Sequence, residues 1–276
     1  MTFSKNTIIG MAGAALLLAG CTATGVDLES RDIYVDQNAE PAAGAVVAQR
    51  SDVVRSAGPT YVTLTISSVF DTAAPTAQGN TAPITSGSGF VVDGAGYVIT
   101  AGHVAVKAGN KVSARAANGR VYNGKVMTVL PGNDMALIKL NGFAGRAVTP
   151  VANQCLRKGD VVFSLGKPHA QGDTARFGAL QAMRFGQPVR YGAFGYPDAM
   201  VLHMNTQHGE SGGPLFDNSG HLAGMVVSTL SDGAGRPLTM AHAIPASRIA
   251  AFYCGAASCS SAWQAIASQS YPACGG

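Results

Sequence analysis

The stretch GESGGPLF at residues 209–216 is the most informative part of this chain for its fold and its chemistry. Three glycines surround Ser211, and glycine is tolerated where backbone dihedral angles are unusual or where other atoms approach the main chain closely. A serine in such a turn can present its hydroxyl to a substrate while neighbouring N–H groups point at one oxygen, as acyl transfer requires. The same residues could also form a glycine-rich turn with an inert serine, so other segments must decide.

Two upstream segments favour the catalytic interpretation. His103 follows the apolar run at residues 97–99, and Asp134 directly precedes another apolar run at residues 135–138. Each alone would be typical of a structural side chain at a strand edge. Together the residues follow the order His, Asp, Ser, one of the chain orders in which a catalytic triad occurs. We therefore predict that Ser211 is a nucleophile, that His103 is its general base and that Asp134 orients the imidazole.

These motifs resemble those of trypsin-like (chymotrypsin-fold) serine proteases, and in particular the bacterial HtrA or Deg-type protease domain. The segments SGSGFVVD at 86–93, GYVIT at 96–100 and AHAIP at 241–245 extend the similarity over about residues 55 to 250. Three features depart from that family. Glu210 stands where the family usually has asparagine, we expect no PDZ domain after the protease domain, and the cysteine-bearing tail has no counterpart.

The resemblance implies an all-β fold of two six-stranded antiparallel β-barrels, at about residues 60–142 and 150–245, closed by a short C-terminal helix. It places the active site between the barrels and implies that the N–H groups of Gly209 and Ser211 form the oxyanion hole. Composition agrees, since 35 glycines and many short β-branched runs favour a β-rich chain with tight turns. The net charge of +4 with no basic cluster gives no reason to expect a nucleic-acid partner.

The resemblance also implies a binding pocket for the substrate residue that precedes the scissile bond. Asn205 matches the position at the base of that pocket, and small neighbouring walls are expected from Thr206, Val226 and Val227. A neutral base offers no counter-ion to arginine or lysine, so we predict a preference for small or medium aliphatic residues. We expect Glu210 either to face solvent or to pair with a nearby base, with Arg184 and Arg190 as the candidates.

The N-terminus carries the features of an export signal. Lys5 precedes an apolar stretch at residues 8–19, and together they predict a signal peptide over residues 1–20. The sequence LAGC at 18–21 resembles a bacterial lipobox, in which Cys21 would be acylated and anchor the protein in a membrane. Thr22 is not the aspartate associated with inner-membrane retention, so we expect an outer-membrane anchor facing the periplasm. An ordinary signal peptide with a coincidental cysteine is the alternative.

The rest of the chain divides into three parts. We predict a tether at residues 21–52, a protease domain at 53–253 and a cysteine-containing tail at 254–276. Four cysteines besides the lipidation candidate are disulfide candidates, with three possible pairings: Cys155, Cys254, Cys259 and Cys274. We favour one tail cysteine bridged to Cys155 with the other two paired, which would pin the tail; free buried thiols are the alternative. Metal-ligand spacings are absent, so neither a metal nor another cofactor is expected.

The sequence thus predicts a serine endopeptidase of the bacterial cell envelope that acts on unfolded or envelope proteins. Two other functions stay open. A catalytically silent pseudoprotease would bind envelope proteins without cleaving them, and a serine esterase would use the same scaffold on acyl esters. The sequence allows a homo-oligomer but does not indicate one.

Overall fold

The structure, a computed structural model, describes residues 25–27, 32–36, 47–68, 83–152, 154–169, 172–231, 237–269 and 274. The predicted signal peptide and Cys21 lie outside these ranges. None of the helices within them combines the length and the apolar character that crossing a bilayer requires.

The described residues form sixteen strands and four α-helices. The strands of the N-terminal half are β1 (Gly25–Asp27), β2 (Asp32–Asp36), β3 (Tyr61–Ser67), β4 (Pro83–Val91), β5 (Tyr97–Ala101), β6 (Lys111–Ala116), β7 (Val121–Leu130) and β8 (Met135–Leu140). Those of the C-terminal half are β9 (Val161–Gly166), β10 (Thr174–Ala182), β11 (Val189–Tyr191), β12 (Phe194–Tyr196), β13 (Met200–His203), β14 (Pro214–Asp217), β15 (Leu222–Ser231) and β16 (Pro237–Pro245). The helices are α1 (Val47–Ala57), α2 (Gly102–Ala105), α3 (Ala246–Ala256) and α4 (Ser261–Ala267).

Each half contains a closed antiparallel barrel. Strands β3 to β8 close the first in the order β3-β4-β5-β8-β7-β6. The second follows the order β10-β13-β16-β15-β14-β9 and is closed by pairing of β9 with β10. Strand alternation puts one face of each barrel in the core, where the β-branched and aromatic residues of the predicted runs are buried. The two six-stranded barrels predicted from the sequence are confirmed.

Two pieces of sheet were not predicted. Strands β11 and β12 form a hairpin beside the second barrel. Strand β2 pairs with β10 in parallel, and β1 pairs with β2. Pairing with β2 supplies hydrogen-bond partners to backbone groups at the edge of β10. Ile33 of β2 is 1% exposed, so apolar burial also holds this segment. Part of the segment predicted as a tether, residues 32–36, is thus a strand of the sheet that contains the second barrel.

The tail packs against the body through two helices and two disulfides. Trp263 of α4 is buried, lies edge-on to Tyr253 of α3 and donates its indole N–H to the carbonyl of Val92 at 3.1 Å. Cys155 is bridged to Cys274, 119 residues later, and Cys254 is bridged to Cys259. All three pairings that the sequence allowed join Cys155 to a tail cysteine, and the structure has the one that links it to Cys274.

The two disulfides are expected to contribute unequally to stability. Replacing Cys155 and Cys274 by serine should lower the unfolding free energy by about 4 to 5 kcal/mol, because the bridge restricts a long loop of the unfolded chain. The bridge between Cys254 and Cys259 closes a loop with a sequence separation of only 5. Replacing both cysteines by serine should therefore cost only about 2 kcal/mol. Denaturant unfolding of both variants under oxidising conditions measures the difference. Equal losses would contradict the loop-length explanation.

Candidate active site

Strand register brings the predicted histidine and aspartate together. In the antiparallel pair β5–β8, Ala101 at the end of β5 lies opposite Met135 at the start of β8. His103 follows Ala101 by two residues, in the short helix α2, and Asp134 directly precedes Met135. The two side chains are thus placed by two neighbouring strands of the first barrel.

Asp134 holds His103 by main chain and side chain. The N–H of His103 contacts Asp134 Oδ1 at 2.8 Å, and His103 Nδ1 lies 2.9 Å from Oδ2 and 3.1 Å from Oδ1. The carboxylate is fully buried, whereas the imidazole is 28% exposed. Because an ionised carboxylate only accepts hydrogen bonds, the proton of a neutral imidazole is placed on Nδ1. The other nitrogen, Nε2, is then left free to accept a proton.

The loop that carries Ser211 packs tightly between the barrels. Gly209 has φ +98° and Gly212 has φ +83°, conformations that favour glycine. A Cβ at Gly212 would lie 2.2 Å from Thr100 Oγ1 and 2.9 Å from the N of Ala101, on the segment that leads to His103. A Cβ at Gly209 would lie 2.3 Å from the carbonyl oxygen of Lys167. Only glycine fits at these two positions, so the glycines flanking the serine set how closely it approaches the first barrel.

The donors predicted for the oxyanion hole are available. In the described part of the chain, neither Gly209 N–H nor Ser211 N–H donates a hydrogen bond to a protein acceptor, whereas Glu210, Gly212 and Gly213 do so through their N–H groups. Ser211 Oγ donates to the carbonyl of Val227 at 3.4 Å, and no hydrogen bond joins it to His103 among the described residues. Catalytic hydrogen bonds are often long or unmade in the absence of substrate.

Glu210 lies in a position that the sequence did not predict. It is 1% exposed, and its Oε1 accepts from Nε of Arg176 on β10 at 2.6 Å. Exposure to solvent is therefore wrong, and so are the proposed partners Arg184 and Arg190. Arg184 instead pairs with Asp198 at 2.7 Å. A buried carboxylate needs a charged partner, and Arg176 provides it from the neighbouring strand, 34 residues earlier.

The predicted specificity residues have different environments. Asn205 is exposed, whereas Thr206 is buried and lies 2.8 Å from Thr229 in a hydroxyl pair. Val226 and Val227 are both 1% exposed on β15 but belong to different apolar clusters, because consecutive strand residues face opposite sides. The two valines therefore lie on opposite sides of β15. Within the described residues, no group of three or more His, Cys, Asp or Glu side chains could hold a metal ion.

The β11–β12 hairpin supplies residues that sequence reasoning missed. Tyr191 donates its hydroxyl to Asp134 Oδ2 in a short hydrogen bond. Its ring lies edge-on to His103 at 5.7 Å between centroids, and the ring of Phe194 does so at 6.4 Å. Burial, followed by the charge of Asp134 and this hydrogen bond, raises the pKa of Tyr191, so its hydroxyl stays protonated. The hairpin thus covers one side of the His–Asp pair.

A second set of contacts fixes the hairpin to the second barrel. The hydroxyl of Tyr196 on β12 lies 2.8 Å from Ser228 Oγ and 2.8 Å from His242 Nδ1. Burial lowers the pKa of His242, which keeps its ring neutral in this contact. The position of Tyr191 over Asp134 is therefore determined by packing against β15 and β16.

The comparisons with known proteins agree with this geometry. The family model for the trypsin-like peptidase domain matches residues 87–225, which include all three predicted catalytic residues. A probable periplasmic DegP-like serine endoprotease of Brucella suis is 33% identical over 172 residues, covering 61% of this chain and 32% of the relative. The serine endoprotease DegS of Escherichia coli is 33% identical over 150 residues, covering 53% of this chain and 40% of the relative. The chain thus spans about a third of the length of its bacterial DegP-like relatives.

A solved structure supports the fold. An HtrA-type protease, AlgW with a tripeptide, superposes with a TM-score of 0.58 at 24% identity, covering 73% of this chain and 60% of the other. The chymotrypsin-like fold predicted from the sequence is therefore confirmed.

The buried ion pair is expected to hold the nucleophile loop. Arg176→Met should destabilise the protein by about 3–5 kcal/mol, because it leaves a buried carboxylate without its partner. The double variant Arg176→Met/Glu210→Gln should recover part of that loss, since no buried charge is left uncompensated. Thermal and denaturant unfolding of the single and double variants measure the coupling. Additive losses would mean that the pair does not act as a unit.

Tyr191 is expected to position Asp134. Tyr191→Phe should lower kcat by about ten- to a hundredfold with little change in KM, the range for one hydrogen bond to a charged group. Tyr253→Phe is the matched control, because it removes a Tyr–Asp hydrogen bond to Asp93 at 2.8 Å, outside the site. Steady-state kinetics separate the two variants. An equal loss of kcat in both would assign Tyr191 a role in stability only.

Proposed function

Because the chain belongs to the trypsin-like peptidase domain family, we propose that it is a serine endopeptidase that uses Ser211, His103 and Asp134 as its triad. The observation that carries this proposal is the double contact of Asp134 with the main chain and ring of His103. A glycine-rich serine loop accompanies it, in which two N–H groups have no acceptor among the described residues. A binding protein would have no need of this combination.

The first chemical step follows from the position of the imidazole proton. With Nδ1 held by Asp134, Nε2 of His103 accepts the proton of Ser211 as its oxygen attacks the peptide carbonyl. For this step the serine hydroxyl must leave the carbonyl of Val227, a weak contact at 3.4 Å, and turn toward the imidazole. The buried carboxylate of Asp134 stabilises the imidazolium that forms.

The negative charge develops on the former carbonyl oxygen. The N–H groups of Gly209 and Ser211 are the donors for it, and losing one such donor typically costs about 10²–10³ in kcat. The imidazolium of His103 then protonates the leaving amine, which leaves an acyl group on Ser211. Water releases that acyl group by the same steps in reverse order.

The substrates we propose are unfolded or envelope proteins, cleaved after small or medium aliphatic residues. The periplasmic relatives and the two disulfides support an oxidising compartment outside the cytosol. We further propose that acylated Cys21 anchors the protein in the outer membrane, facing the periplasm. No cofactor enters the mechanism.

Cleavage of unfolded casein tests the triad. Wild-type protein should degrade it and should be labelled by a fluorophosphonate, whereas Ser211→Ala should lose both properties, with kcat reduced by roughly 10⁴-fold or more. Ser219→Ala is the matched control, because Ser219 lies exposed in the turn that follows β14 and should keep full activity.

The other two functions give different results in the same assay. A protein that is labelled at Ser211 and hydrolyses acyl esters but not casein would be an esterase. A folded protein that binds casein without labelling or cleavage would be a pseudoprotease, and the endopeptidase proposal would be wrong.

A further inference from the structure

A polar cavity lies beside the serine loop, and its lining includes neither the predicted triad nor the predicted specificity residues. Its volume is about 290 Å³. Strands β3, β4 and β6 of the first barrel form one wall and contribute the hydroxyls of Thr65, Ser86 and Ser113. The loop after β9 forms the other wall. Three basic side chains line the cavity, Arg115, Lys167 and His169, and no carboxylate is among its described lining residues.

The balance of charge in the cavity is positive. Asp173 lies behind Arg115, at 3.8 Å from its guanidinium, and is itself hydrogen-bonded by Tyr61, so it offsets part of that one charge. Lys167 is half-buried and adds a second cation. His169 is exposed and lies 3.2 Å from Ser86 Oγ through Nε2. A site of cations and hydroxyls without a facing carboxylate is complementary to an anion.

The cavity adjoins the catalytic loop directly. Ser88 Oγ donates to the carbonyl of Gly209 at 2.8 Å and accepts from the N–H of Lys167 at 3.1 Å. A Cβ at Gly87, a lining residue, would lie 3.1 Å from the carbonyl oxygen of Ser211. The walls of the cavity therefore continue into the main chain on both sides of the nucleophile.

The cavity lies on the side from which the leaving group departs. His103 must face the leaving amine to protonate it, and the helix that carries His103 packs on β4. Thr85 donates to the carbonyl of Val104 at 2.7 Å, and Gly87 lies against the Val104 side chain. Val227, which belongs to the predicted pocket on the acyl side, contacts Ser211 from β15 instead. A substrate chain that passed His103 and continued along β4 would therefore enter the cavity.

We propose that this cavity binds an acidic side chain, aspartate or glutamate, located C-terminal to the scissile bond of the substrate. The proposal rests on the proposed endopeptidase function and adds a specificity determinant to it. Lys167 and Arg115 supply the charge, and the hydroxyls of Ser86 and Thr65 supply further hydrogen bonds to the carboxylate. The preference is therefore for a charge at a fixed distance from the cleaved bond.

The test uses peptides built on one cleavage site identified in casein by mass spectrometry. In one series a single glutamate is moved through the first four positions after the cleaved bond; in the matched series glutamine replaces it. At one position the glutamate peptide should have a KM about two- to fivefold lower, the range for one partly exposed charge pair. Raising the salt concentration should reduce the difference, because exposed charges are screened.

Variants assign the preference to the cavity. Lys167→Gln should bring the glutamate-to-glutamine ratio of kcat/KM close to one, and Arg115→Gln should reduce it. Lys158→Gln is the matched control, because Lys158 is exposed just before the other end of β9, roughly 20 Å away along the strand. It should leave both the ratio and the basal activity unchanged.

The outcomes separate this inference from the proposed function. Peptides cleaved equally well in both series, or a preference that survives Lys167→Gln, would overturn the inference and leave the endopeptidase intact. If no peptide is cleaved, calorimetric titration of the Ser211→Ala protein with the two peptides decides the inference by itself. Equal binding of both would contradict it, and tighter binding of the glutamate peptide, lost in Ser211→Ala/Lys167→Gln, would support it.

Discussion

The arrangement of the whole site depends on the hydrogen bonds of Ser88. This residue is fully buried on β4 of the first barrel. Its hydroxyl bonds the carbonyl of Gly209 and the N–H of Lys167, and its own N–H donates to the carbonyl of Ser211 at 3.0 Å. One residue of the first barrel thus holds the nucleophile loop and the loop after β9, which both belong to the second. These hydrogen bonds connect the two barrels beside the site, and breaking them would leave buried polar groups without partners.

Two further devices hold the groups that would react. Asp134 is contacted by His103 of the first barrel and by Tyr191 of the β11–β12 hairpin. The loop around the serine is held by the buried ion pair of Glu210 with Arg176. The imidazole and the serine loop are therefore held by separate sets of contacts. This division of support agrees with a site in which the donors are oriented before a substrate arrives.

The sequence predicted the barrels and the His–Asp pair because both depend on local patterns. Runs such as residues 61–66 and 161–166 alternate or bury β-branched residues, and the strand ends then place His103 beside Asp134. The β11–β12 hairpin was missed because its strands are only three residues long and lie in a segment, residues 185–198, that is rich in glycine and proline. The partner of Glu210 was missed for a different reason. Arg184 and Arg190 are closer in sequence, but only the pairing of strands shows that Arg176 faces the carboxylate.

If the chain is exported as proposed, the spacing of the cysteines imposes an order on their oxidation. As the polypeptide emerges from its N-terminal end, Cys155 is the first of the four bridged cysteines to appear. It must wait until the 119 residues up to Cys274, which include all six strands of the second barrel, have followed. Cys254 and Cys259 emerge in between, separated by only five positions, and can join at once. A premature link from Cys155 to either of them would leave Cys274 without its native partner. Maturation in the cell is therefore expected to depend on a thiol–disulfide isomerase, which would correct such links before the barrels close around them.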